Sequence, residues 1–168
     1  LNRDRNARGE LGLDARRPWF DLGSGAGLAA VIGIPGLGLY LLARQLGLNT
    51  TVAPANLPDI WWAGPVLIIA ALGNGVVEEV IVVGYLMTRL RDLGWRVAAV
   101  VAASALLRGT YHLYQGFGAF VGNAIMGVVF SLFYLRTRRV LPLVIAHTLL
   151  DVVVYLGYLL LRDRVSFL

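Results

Sequence analysis

The sequence has no cysteine and no lysine, and it holds only two histidines and three glutamates among its 168 residues. Without cysteine there is no disulfide and no thiolate nucleophile or ligand, so a metal would have to be held by His, Asp and Glu. That confines site chemistry to carboxylates and imidazoles. Charge is scarce too: 15% of residues are charged against 58% hydrophobic, with a mean hydropathy of +0.70. These values exclude an ordinary soluble domain and describe a polytopic membrane protein with one integral membrane domain. All fifteen basic residues are arginine, a usage that, with abundant Ala, Val, Gly and Leu, points to a GC-rich bacterial genome. The net charge of +5 is accounted for by membrane topology and anionic headgroups, so no nucleic-acid partner is read from it.

What is present is a series of apolar runs. Residues 1–21 form a polar, Arg-rich juxtamembrane tail with no apolar period. A full-length apolar run follows directly, so the tail does not read as a signal peptide, and with Leu1 in first place further chain is expected upstream. The first span, 22–46, is dense in glycine. Its Gly23-x-x-x-Gly27 pattern would let a neighbouring helix approach closely, and a bend is expected at Pro35-Gly36. After a loop with Pro54 and Pro58, a core of residues 60–162 carries four more runs, at 60–89, 95–114, 117–135 and 140–161. The run at 60–89 opens on Trp61-Trp62, an interfacial belt. At ~1.5 Å per residue it would reach ~45 Å against a ~30 Å hydrocarbon core, so tilt or a break is expected, at Gly73-Asn74-Gly75. The fold class expected is all-α, a transmembrane helical bundle of about five spans. Alternating spans put the tail, Arg89, Arg91, Arg96, Arg136, Arg138 and Arg139 on one side, and only Arg44, Arg162 and Arg164 on the other. The positive-inside rule then makes the N-terminus cytoplasmic, in the cytoplasmic membrane of a bacterium.

The ionisable residues collect where they are most costly. Glu78 and Glu79 lie inside the second run, Arg108 and His112 in the third, and His147 and Asp151 in the last. Residues four apart share a helix face, so Arg108 pairs with His112 and His147 with Asp151. In lipid such faces must turn towards one another or a wet cavity, and a converging Glu/His/His/Asp site is the simplest arrangement. A glutamate there can act as general base towards water, an imidazole can position that water or relay its proton, and a second imidazole can face a developing oxyanion. That chemistry is amide hydrolysis, with a peptide or membrane-protein substrate and the lipid bilayer as partners. No cofactor is firmly implied. Zinc on His112, His147 and Glu78 is the metal alternative, although no His-x-x-x-His or His-Glu-x-x-His helix is present. A proton-coupled transporter would use similar residues as a relay.

The pattern Glu78-Glu79-(x)4-Gly84-Tyr85-Leu86, then Ser104-Ala105-Leu106-Leu107 leading to His112, then His147-x-x-x-Asp151, resembles the CAAX protease and bacteriocin-processing family of intramembrane endopeptidases. These are also called Abi or type II CAAX-prenyl-endopeptidase-like proteins, historically classed as metalloendopeptidases. The resemblance covers roughly residues 60 to 160 and implies a helical bundle around a conical cavity. It implies Glu78 as the base activating water, His112 holding the same water, Glu79 as a companion carboxylate, and His147 with Asp151 on the oxyanion side. Two positions depart from the family pattern: Val83 stands in the arginine slot of E-E-x-x-x-R, and Arg108 stands where an aromatic usually precedes the histidine by four. The paired departures suggest that Arg108 supplies to Glu79, from the neighbouring span, the charge that Val83 cannot. Asp151, if ionised, accepts but does not donate hydrogen bonds, so it either orients His147 or stays protonated. The rival reading is a non-catalytic relative acting in bacteriocin immunity or as a regulatory membrane-binding protein.

Overall fold

The computed structural model describes residues 7–50 and 61–161, so the loop prolines Pro54 and Pro58 and the terminal Arg162 and Arg164 lie outside the described residues. Among the described residues seven α-helices follow one another: α1 (Ala7–Glu10), α2 (Pro18–Gln45), α3 (Ala63–Glu78), α4 (Leu86–Asp92), α5 (Val97–Tyr111), α6 (Phe117–Thr137) and α7 (Leu141–Leu161). A π-helical segment, Glu79–Tyr85, joins α3 to α4 without interruption. Four of the resulting rods are long and apolar enough to span a membrane: Pro18–Gln45, Ala63–Asp92, Phe117–Thr137 and Leu141–Leu160. The protein is an all-α integral membrane bundle. Helices suit this setting because every backbone N–H and C=O inside the hydrocarbon is satisfied within the segment.

The third run differs from expectation. Its helix α5 has 15 residues, about 22 Å at ~1.5 Å per residue, too short for the ~30 Å core. It ends at Tyr111, with His112 as its C-cap, and a short 3₁₀ turn, Leu113–Gln115, leads into the next helix. The expected break at Gly73-Asn74-Gly75 is also absent: α3 runs straight through it. The irregularity comes later, in the π segment that begins at Glu79. A π turn holds an extra residue and so re-aims the side chains beyond it. Two hydroxyls settle on carbonyls of this segment, Ser104 donating to Val82 (3.1 Å) and Thr88 to Gly84 (2.6 Å).

Helix α2 continues across Pro35 and packs mainly on α7, α3 also packs on α7, and α5 packs on α6. Small residues set these distances. A Cβ on Gly25 or Gly33 of α2 would collide with Ile145 or Leu150 of α7, one on Gly75 with Thr148 of α7, and one on Gly127 of α6 with the Ala105 backbone of α5. The expected Gly23 and Gly27 both face open space, so the packing glycines of α2 are Gly25 and Gly33. The apolar core joins Val83, Met87, Val100, Phe130, Tyr134 and Leu143 from the π segment, α4, α5, α6 and α7.

Each end of the bundle is tied. On one side Arg139, between α6 and α7, donates through Nε and Nη2 to the two oxygens of Asp21 (both 2.6 Å) and through Nη1 to Asp14 (3.1 Å). Residues 7–14 are therefore not the featureless tail expected: Val140 N–H donates to the Leu11 carbonyl (2.9 Å), and helix α2 starts at Pro18, ahead of Leu22. The amide of Arg16 and the Arg139 guanidinium, both donating to Asp14, hold its carboxyl below its ordinary value of 3.8. That contribution is present above pH 3.8 and is lost as pH falls through the lowered value. On the other side Thr50 N–H donates to the Gln115 carbonyl (3.0 Å), and the Asn49 side chain accepts from Ala119 N–H (3.0 Å), capping α6 from a distance. The start of α2 thus shares a side with the α6–α7 turn, and its end shares a side with the α5–α6 turn. Arg139→Met leaves the fully buried Asp21 without its guanidinium. Loss of one partner from a buried pair costs about 3–5 kcal/mol, so a large drop in melting temperature in detergent is expected, measured by thermal denaturation.

Candidate active site

Glutamates 78 and 79 meet different surroundings although they are adjacent, because one closes α3 and the other opens the π segment. Glu79 is wholly buried. Its Oε1 accepts from Arg108 Nη2 (2.6 Å) on α5 and from His147 Nδ1 (2.6 Å) on α7. A carboxylate only accepts here, so Nδ1 carries the proton, leaving Nε2 of His147 directed at Asp151 Oδ1, 3.8 Å away and four residues along the same helix. Arg108 is itself fully buried and lies over the Phe130 ring of α6 at 5.6 Å. Among the described residues Glu79 Oε2 and Arg108 Nε are buried without a hydrogen-bond partner.

Glu78 is the more accessible, its side chain 21% exposed. Its Oε2 accepts from the Tyr111 hydroxyl of α5 (2.6 Å) and lies 3.6 Å from Arg108 Nη1. Its Oε1 makes no hydrogen bond among the described residues. His112 stands next to this pair, its ring 4.7 Å from that of Tyr111 at 41°. Nδ1 of His112 donates to the Arg108 carbonyl (3.0 Å), because a carbonyl only accepts. In the neutral imidazole Nε2 is then left as an acceptor.

The sequence candidates Glu78, Glu79, Arg108, His147 and Asp151 are thus linked across three helices, and His112 joins them through Tyr111 and the Arg108 backbone rather than by a direct bond to a glutamate. Two members were not foreseen in this role. Tyr111 holds no position in the sequence motifs. Asn74 was expected to break a helix, yet its amide donates to Asp151 Oδ2 (3.4 Å) and to the Tyr155 hydroxyl (2.9 Å), bridging α3 to α7. An asparagine in an apolar run next to small residues was the available signal, since a polar amide in lipid needs a partner. Among the described residues, no group of three or more His, Asp and Glu side chains is placed to hold a metal ion.

A family model described as Rce1-like, type II CAAX prenyl endopeptidase Rce1-like, matches residues 60–153, more than half of the chain, and the match contains every one of these groups except Tyr155. No curated protein and no solved structure matches the chain.

Proposed function

Because the chain belongs to the Rce1-like family of type II CAAX prenyl endopeptidases, we propose that it is an intramembrane endopeptidase that hydrolyses a peptide bond with a water activated by Glu78. The family is one of proteases, and the helices make this chain an integral membrane protein. The observation that supports Glu78 as the base is the asymmetry of the two glutamates. Glu79 is locked between a guanidinium and an imidazole, whereas Glu78 is reachable and has one oxygen free.

Glu78 Oε1 would take a proton from water as the water oxygen attacks the substrate carbonyl carbon. The carbonyl π pair moves to oxygen, and collapse of that oxyanion breaks the C–N bond while the Glu78 proton passes to the leaving amine. Nε2 of His112 is the acceptor that would orient the same water. His147 and Asp151 would line the oxyanion side with the imidazole protonated on both nitrogens, Nδ1–H donating to Glu79 and Nε2–H, on the Asp151 side, available as a donor. Substrates would be peptides or membrane-protein segments entering from the bilayer. The Arg-rich side, which includes Arg16, Arg17, Arg89, Arg91, Arg138 and Arg139, would face the cytoplasm of a bacterium, carrying the N-terminus with it.

Zinc suits this donor set poorly. The Arg108 guanidinium lies within 2.6 Å of one glutamate and 3.6 Å of the other, so a divalent ion would meet a fixed positive charge where its ligands should converge. Cleavage is therefore expected to continue at wild-type rate after exhaustive treatment with a chelator and to gain nothing from added zinc, measured on purified proteoliposomes. Val83 in the arginine slot favours the rival non-catalytic reading, in bacteriocin immunity or regulation. The contact of Arg108 with Glu79 offsets it, because the carboxylate has its cation from another helix.

A further inference from the structure

The motifs leave Tyr111 without a role, yet its hydroxyl makes one of the shortest side-chain hydrogen bonds in the protein, 2.6 Å to Glu78 Oε2. The geometry points to Tyr111 as the positioning residue of the general base, an inference that rests on the endopeptidase reading above. Three features converge on it. The bond engages one carboxylate oxygen and leaves the other, Oε1, for water. The tyrosine ring lies against the His112 imidazole at 4.7 Å, so a single side chain fixes both groups that would hold the water. Finally, α5 ends at Tyr111, so the residue sits where a short helix turns back rather than in a continuous lipid-facing surface.

Glu78 needs such a clamp. It closes α3 as the backbone passes into the π segment, and Arg108, the other group facing Oε2, is 3.6 Å away and already donates to Glu79 at 2.6 Å. A glutamate with free χ angles samples many orientations, and a misplacement of about 1 Å at a reacting group can cost on the order of 10²-fold in rate. The tyrosine holds Oε2 while the stiff ring, packed at a tilt against His112, fixes where that oxygen stays. Its effect should fall on turnover, because the hydroxyl faces the base rather than the substrate.

Tyr111→Phe tests this, since it keeps the ring and removes only the hydroxyl. The expected result is a fall in kcat of about 10²-fold with KM within twofold. A readout without substrate runs alongside: modification of Glu78 by a hydrophobic carbodiimide, followed by mass spectrometry. The Tyr111 hydroxyl occupies Oε2 of Glu78, so a carboxyl released from it is freer to turn towards the reagent. Labelling of Glu78 should accelerate several-fold in Y111F with Glu79 unchanged. Incorporation of 3-fluorotyrosine at position 111, a stronger donor of the same shape, should slow it, and this arm decides if Y111F does not fold. Wild-type kcat together with wild-type labelling in Y111F, or a loss confined to KM, would each overturn the inference. If the wild type cleaves nothing, the endopeptidase reading fails, while labelling still decides whether Tyr111 governs Glu78.

Discussion

Glu78→Gln is expected to abolish cleavage, with at least a 10³-fold fall in kcat, while the protein still folds, inserts and binds peptide. Loss of a positioned general base typically costs ~10²–10⁴-fold. Among the described residues the neighbouring carboxylates are already engaged: Glu79 is wholly buried between Arg108 and His147, and Asp151 accepts from Asn74. Glutamine keeps the size and can still receive the Tyr111 hydroxyl on its carbonyl oxygen, so the local packing is retained. Thermal denaturation in detergent should change little because the Glu78 side chain is already 21% exposed. Comparison of single-turnover rates and melting temperatures for the two proteins separates the chemical effect from a folding one. Glu79→Gln should behave in the opposite way, since it breaks a buried ion pair and therefore lowers stability along with activity.

Arg108→Phe is expected to cause the largest loss of stability of any single substitution in the site. Both partners of the Arg108–Glu79 pair are wholly buried, and removal of one partner from such a pair costs about 3–5 kcal/mol because a charge is left uncompensated. Glu79 would keep only His147. The resemblance leads one to expect an aromatic residue at position 108, so the substitution tests position 83 at the same time. The double variant Val83→Arg with Arg108→Phe should recover part of the loss if Arg108 supplies the charge missing from position 83. Recovery will be incomplete, because Val83 is fully buried in the apolar core with Met87 and Phe130. A second double variant, Arg108→Phe with Glu79→Gln, removes both charges and should be more stable than Arg108→Phe alone. Melting temperatures in one detergent decide both comparisons. If the Val83→Arg swap melts no higher than Arg108→Phe alone, the compensation between helices is wrong.

The contrast between scarce ionisable residues and long apolar runs made the convergence of Glu78, Glu79, Arg108, His147 and Asp151 legible, because charged groups in lipid have few places to go. The same physics hid the rest. Residues 79–85 are Val, Ile, Gly and Tyr behind a glutamate, apolar on every face, so an extra residue per turn disturbs no periodic pattern and the π segment leaves no trace in sequence. Helix α2 is likewise apolar all round, and the spacing of its glycines does not say which face meets a neighbour; Gly25 and Gly33 pack on α7 although Gly23 and Gly27 carry the familiar motif. The Asp21–Arg139 pair joins residues 118 positions apart, each resembling a solvated charge beside a span end. Tyr111 was obscured by its type, since aromatic residues at helix ends are ordinarily read as interfacial anchors.

The most direct test of an endopeptidase driven by Glu78 is cleavage of a membrane peptide library, with peptides suited to the family included, by purified proteoliposomes in H₂¹⁸O. New termini are read by mass spectrometry for wild type and Glu78→Gln in parallel. The account predicts new carboxyl termini carrying one ¹⁸O from wild type, with or without chelator, and none from Glu78→Gln. No new termini from a folded wild type, or equal cleavage by Glu78→Gln, would contradict it.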